Sequence, residues 1–182
     1  MITPAHEALA DKDLLPAQHL VDTGYTDAGL LIEARQRFGV DLIGPVRRDV
    51  RWRAQAGGRF AIAAFRIDWT AERVTCPRGV QSSSWSPALD SRGTPGITVK
   101  FSRRDCQPCP DRVDCAGPSA TRRLMSLRPQ ARHEALAQAR QRQDTAAFAH
   151  LYAQRAGIEA TLSLAVRRLG LRRARYAGLA KV

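Results

Sequence analysis

Residues 18–45 read QHLVDTGYTDAGLLIEARQRFGVDLIGP, and the architecture follows from how this stretch is punctuated. Gln18, His19, Leu20 and Val21 form a short, partly apolar run of strand character that ends on Asp22. Thr23-Gly24-Tyr25 has turn chemistry, and Thr26 with Asp27 can accept the orphan N–H groups at the start of a helix. Leu30, Leu31, Ala34 and Phe38 recur at helical spacing, so a helix is expected over residues 28–38, closed by Gly39. Val40-Asp41-Leu42-Ile43-Gly44-Pro45 then reads as a second strand. Strand, helix and strand in so short a span predict two parallel strands joined by a helical crossover, the unit of an α/β sheet. A carboxylate just past such a strand stands where α/β sheets bind ligands, which makes Asp22 a candidate site residue. Asp before a glycine-containing turn is also ordinary turn chemistry, so Asp22 needs a partner elsewhere to carry weight.

On the amino-terminal side, residues 6–14 suggest a short helix ended by Leu15-Pro16. Beyond Val46 the character changes. Arg47, Arg48, Arg51 and Arg53 flank Trp52, and Gly57-Gly58 interrupts the chain. Residues 60–69 and 73–76 suggest a β-hairpin, and 79–96, rich in Ser, Pro and Gly, read as loop. Residues 97–101 alternate like a strand, and 124–127 are a further strand candidate. Helices are expected over residues 130–142 and 145–169. The expected organisation is an α/β segment over 1–45, a mostly β segment over 46–128 and a helical segment over 129–182.

Composition narrows the partners. Hydrophobic residues make up 44% and charged residues 25%, a globular balance rather than a disordered one. Lys and Arg number 29 against 17 acidic residues, for a net charge of +12. Lysine occurs only at positions 12, 100 and 181, so arginine dominates, and its planar fork suits phosphate oxygens. A field of this sign favours nucleic acid as the partner. No basic, then apolar, leader opens the chain and no run of about 18 apolar residues occurs, so neither a signal peptide nor a membrane span is expected. A cytoplasmic location is expected.

The last helix carries the second candidate. Tyr152, Arg155 and Glu159 are spaced i, i+3 and i+7, which places them on one helical face. Ile158, Leu162, Ala165 and Leu169 form a neighbouring apolar stripe expected to bind the helix to a sheet. Glu159 is the only acidic residue after Asp144, in a stretch crowded with arginine. Such a carboxylate suits either a Mg2+ ligand near a phosphate backbone or a counter-ion for Arg155. Arg167, Arg168, Arg172, Arg173, Arg175 and Lys181 follow it and suggest salt-dependent contact with a nucleic-acid backbone.

The four cysteines, Cys76, Cys106, Cys109 and Cys115, include a C-x2-C-x5-C run. Four thiolates can hold a tetrahedral zinc ion, and the same set can hold an iron–sulfur cluster. Unligated buried thiols are the third reading, and disulfides are not expected in a reducing compartment. The four histidines are scattered and do not complete the set, and His19 beside the first strand reads as structural.

Val21-Asp22-Thr23-Gly24-Tyr25 resembles the second-aspartate motif of transposases of the DDE class. Tyr152-x-x-Arg155-x-x-x-Glu159 resembles the signature around their final glutamate. The run from Arg155 to Glu159 and the basic stretch from Val166 to Lys181 resemble one group of bacterial insertion-sequence transposases. The resemblance implies a partial RNase H-like catalytic core of α/β class, interrupted by a mostly β, cysteine-containing insertion, with C-terminal helices. It implies two-metal cleavage and strand transfer of DNA, with Mg2+ or Mn2+ held by Asp22 and Glu159. It further implies that Tyr152 and Arg155 position phosphates or the glutamate itself, and that insertion-sequence ends and target DNA are the partners. Two departures accompany it. Val166 stands where related families carry lysine, with Arg167 one position on. The first aspartate has no counterpart, since Glu7, Asp11 and Asp13 fall in or beside a short helix. The expectation is therefore a fragment truncated at both ends, inactive and marginally stable alone, with self-association expected only as part of a full transposase. The alternatives are a non-catalytic DNA-binding remnant and a cysteine–metal DNA-binding protein.

Overall fold

The computed structural model describes residues 2–47, 58–91 and 93–170. The chain divides into two compact units, Met1–Val46 with Gln138–Val182, and Arg47–Ala137. The calls on Trp52 and on Arg48, Arg51 and Arg53, and those on Arg172, Arg173, Arg175 and Lys181, lie outside the described residues.

The first unit contains the strand, helix and strand expected from residues 18–45. Strand β1 (Gln18–Leu20) pairs parallel with β2 (Asp41–Ile43), His19 opposite Leu42. Helix α2 (Ala28–Phe38) makes the crossover. Its start is set by Asp27, whose Oδ1 accepts from the N–H groups of Gly29 and Leu30 at 2.8 and 3.2 Å. Gly39 ends it at φ 68°, the left-handed cap that glycine adopts without a Cβ penalty. Ile2, Val21, Ala34, Val40 and Leu42 form the core, with Leu15, Leu30, Leu31 and Phe38 packed against it. Helix α1 (Thr3–Ala10) starts three residues before its sequence expectation and ends sooner. Pro4 is the reason, because a proline in the first turn lacks only an N–H that has no helical partner there.

His6 of α1 is fully buried, and its Nε2 lies 3.0 Å from Nδ1 of His19 on β1, with the ring of Phe38 at 5.3 Å. One ring nitrogen must donate and the other accept, so the contact excludes two imidazolium ions. Burial, then the charge of His19, lowers the His6 pKa below the ordinary 6.5, against a weaker upward pull from Glu33. Burial alone lowers that of His19. A folded-state pKa below the unfolded one means that the unfolded chain takes up the proton first, so stability falls as pH drops below about 6.5. Denaturant midpoints of the full chain measured between pH 7.5 and 5 should fall with pH. A midpoint that is flat or rises over that interval would contradict the histidine contact. Asp111, the carboxyl held below its ordinary range chiefly by the Arg78 hydrogen bond, acts only at lower pH.

The second unit is built from a hairpin and a three-stranded antiparallel sheet. Strands β3 (Arg66–Asp68) and β4 (Arg73–Thr75) form the hairpin expected in that region. The sheet has the order β5 (Ser84–Leu89), β6 (Pro95–Lys100), β7 (Leu124–Leu127). β5 corrects the expectation of a loop over residues 79–96. Its Ser- and Pro-rich sequence survives as a strand because β5 lies at the sheet edge, where Pro87 can face Ile97 without costing an interior ladder bond. Phe65, Val74, Val99, Phe101, Met125 and Leu127 form the core. The expected tight knuckle over residues 106–115 is replaced by two short helices, α3 (Arg103–Cys106) and α4 (Arg112–Ala116).

Helices α5 (Gln130–Gln143) and α6 (Ala146–Leu169) follow, as the periodicity predicts. Thr145 caps α6 by accepting from the N–H of Phe148 at 3.1 Å. The apolar stripe on α6 does not pack as expected. Ile158, Leu162 and Leu169 are 57, 53 and 76% exposed, because the two-stranded sheet of this unit has its core filled from β1, α2 and β2, and no surface among the described residues covers the stripe.

Candidate functional site

Asp22 is placed by the loop that follows β1. Val21 is buried, and its N–H donates to the carbonyl of Ile43 at 2.9 Å, extending the parallel pairing by one step. The chain then leaves the sheet as a short 3-10 turn over Thr23–Tyr25, with Asp22 at its cap, accepting from the N–H of Thr23 at 2.7 Å. Buried Thr26 fastens the loop, its hydroxyl lying 3.0 Å from the carbonyl oxygen of Thr23 and 2.7 Å from that of Pro45. Gly24 has open space around it, so the turn does not depend on it. Gly44 is the glycine that matters, since a Cβ there would collide with the carbonyl oxygen of Val21 and with side-chain carbons of Val21 and Thr26. The end of β2 therefore presses directly on the residue that aims Asp22.

Glu159 is placed by α6. Phe148 is buried in the first turn, and Tyr152 stacks on it with rings 5.5 Å apart and nearly parallel. Nη1 of Arg155 donates to the Tyr152 hydroxyl oxygen at 2.7 Å, and Nη2 lies 3.0 Å from Oε1 of Glu159. The same guanidinium reaches Oδ1 of Asp22 at 3.6 Å. Four of the residues singled out in the sequence thus meet at one point, and Arg155 is the centre. Its charged form is favoured first by the hydrogen bond to Tyr152 and then by the charges of Glu159 and Asp22, against some desolvation. Side chains of Asp22 and Glu159 are 61 and 62% exposed, so the ion pairs contribute little stability and act mainly to align the carboxylates.

Other pairings in this unit were not legible in the sequence. Arg142 at the end of α5 donates to Asp41 Oδ2 at 2.6 Å and to the carbonyl of Leu42 at 2.7 Å. Gln143 accepts from the N–H of Val46 at 2.6 Å. These contacts tie α5 to β2, next to the turn that starts α6. No local pattern announces them, because Arg142 looks like any helix-terminal cation.

Arg167 and Arg168 are exposed in the last turn of α6, and Nε of Arg167 points back to the carbonyl of Ser163 at 3.3 Å. The four cysteines come together in the second unit, lining one cleft. Among the described residues, however, no three His, Cys, Asp or Glu side chains are grouped to hold a metal ion. The compact tetrahedral geometry expected for zinc is therefore not formed, because Cys106 ends α3 and Cys115 lies within α4, spreading the run over two helices.

The family model described as a transposase DDE domain matches residues 75–182. The chain belongs to this DDE transposase family. The matched segment holds Tyr152, Arg155, Glu159 and all four cysteines, while Asp22 precedes it. Searches among curated proteins and among solved structures returned no match. As a member of this family the transposase domain has DNA transposition as its general function, and divalent metal is typical of such domains. No helix among the described residues is long and apolar enough to cross a membrane. In the transposase domain, Glu7 is held by Arg37, and no third carboxylate joins Asp22 and Glu159 among the described residues.

Proposed function

We propose that Asp22 and Glu159 are two ligands of a divalent-metal site for cleavage and strand transfer of DNA, and that this chain alone binds DNA without cutting it. The observation that carries the reading is the shared guanidinium of Arg155, 3.6 Å from one carboxylate and 3.0 Å from the other. Two carboxylates distant in sequence converge on a single positive charge. Mg2+ is commonly held by one or two carboxylates with water and substrate phosphate completing the shell, so this donor set fits it. When bound, the metal supplies activation of the attacking oxygen and stabilisation of the leaving oxygen in an in-line displacement at phosphorus.

The chain's own residues prepare that chemistry. Tyr152, held by its stack on Phe148, accepts from Arg155 and keeps the guanidinium between the carboxylates. Arg155 holds the two acidic groups together against their mutual repulsion and presents a cation to a phosphate oxygen. Exposed Arg167 and Arg168 extend the positive surface along α6, with Arg172 and Arg173 beyond the described residues. In this reading the first unit is part of an RNase H-like core, and residues 46–128 are the β-rich insertion. The four cysteines belong to that insertion.

The test is a binding and cleavage pair on the purified chain. Duplex DNA should be bound with log affinity falling linearly with log salt, at about 0.9 per phosphate contacted. Supercoiled plasmid incubated with Mn2+ should stay uncut. Salt-independent or absent DNA binding would remove the function, and nicking lost in Asp22→Ala would overturn the inactivity of the isolated chain.

A further inference from the structure

The phosphoryl-transfer reading leaves the four cysteines without a task. They are every cysteine in the chain, they come from three separate segments, and all four border one cleft with Phe60, Val80 and Phe101. None forms a disulfide, and each is half-buried. Cys76 begins a tight turn: its N–H donates to the carbonyl of Val80, and that of Gly79 to the carbonyl of Cys76, both at 2.8 Å. Gly79 takes φ 83°, a conformation that keeps side chains off the inside of the turn. Cys109 donates its N–H to the carbonyl of Cys106 at 3.2 Å, and Cys115 does so to that of Asp111 at 2.8 Å. Each cysteine is thus held by backbone structure rather than by chance collapse.

We propose that Cys76, Cys106, Cys109 and Cys115 ligate a [4Fe–4S] cluster in this cleft. A single tetrahedral zinc ion with Zn–S of about 2.3 Å draws its sulfurs to within roughly 4 Å of one another. The cysteines here stand on a turn, on the end of one helix, between two helices and inside the second, and no three are grouped that tightly. A cubane cluster carries its four thiolates on its outside, one per iron, and so takes ligands set farther apart around a common cavity. The walls suit it as well. Apolar side chains limit water, and cations offset the negative charge of a thiolate-ligated cluster. Arg78 and Arg112 line the cleft, and Arg123 donates to the carbonyl of Cys115 at 2.7 Å. Asp111 orients Arg78 through a 2.5 Å contact and is shared with Arg59. The cluster would staple the turn after β4 to the two short helices, a structural task independent of Asp22 and Glu159.

The full chain purified without oxygen decides the matter. About four iron and four acid-labile sulfide per chain are expected, with a brown visible absorption that fades on exposure to air. Cys109→Ser and Cys115→Ser should each lose most of the iron. Zinc at one per chain, or protein free of iron and sulfide, would overturn the proposal. Because the metal content of the unsubstituted chain is itself decisive, poor folding of a serine variant does not blur the answer.

Discussion

Asp22→Asn and Glu159→Gln should each weaken Mn2+ binding by more than about 100-fold, the upper end of what loss of a mere outer-shell partner costs. Each substitution keeps the shape and removes the charge, and both groups are exposed, so the fold should survive. Arg155→Gln should act the other way on the metal. Its guanidinium lies between the two carboxylates, so removing it takes away a resident competing cation and should raise Mn2+ affinity several-fold. The same variant should weaken DNA binding, because a phosphate-binding cation is lost. Calorimetric titration of Mn2+ into the chain, with and without duplex DNA, separates these effects. Unchanged metal affinity in both carboxylate variants would end the two-ligand reading. A joint loss of metal and DNA binding in Arg155→Gln would mean that the arginine only builds the helix face.

Phe101→Ala is expected to carry the largest stability cost, about 3–5 kcal/mol for a buried phenylalanine. Phe101 is 1% exposed, packs edge-on to Phe65 with ring centres 5.9 Å apart, and lines the cysteine cleft. A domain is typically stable by only about 5–15 kcal/mol, so the second unit should lose much of its margin. Tryptophan fluorescence reports on this unit selectively, since Trp52, Trp69 and Trp85 all fall within Arg47–Ala137. Trp69 and Trp85 lie edge to face at 5.6 Å, so their separation on unfolding should change the signal. A urea transition within about 1 kcal/mol of the unsubstituted chain would show that the core cluster is not centred on Phe101.

Much of the candidate site was legible because its signals are local. The face shared by Tyr152, Arg155 and Glu159 follows from helical spacing, and the structure links all three through Arg155. The helix from Ala28 to Phe38 was equally legible, since Asp27 and Gly39 cap it with their own atoms. Less local features were read wrongly. The Ser- and Pro-rich strand β5 looks like loop until β6 lies beside it. The stripe of Ile158, Leu162 and Leu169 is periodic, yet periodicity shows only that a face is apolar and not that anything covers it. The cysteine spacing suggested a zinc knuckle, and two helices opened it.

The amino-acid sequence by itself determined the strand–helix–strand unit, the family signature on α6 and the basic charge. Each depends on residues within a turn or two of one another, or on composition alone. Tertiary structure decided which distant groups meet. Asp22 owes its place beside Glu159 to the parallel pairing of β1 with β2, to Gly44 yielding space to Val21, and to Arg155 spanning both carboxylates. The convergence of four cysteines on one cleft has the same origin. Chain closure and packing set such distances, and no window of sequence contains both partners.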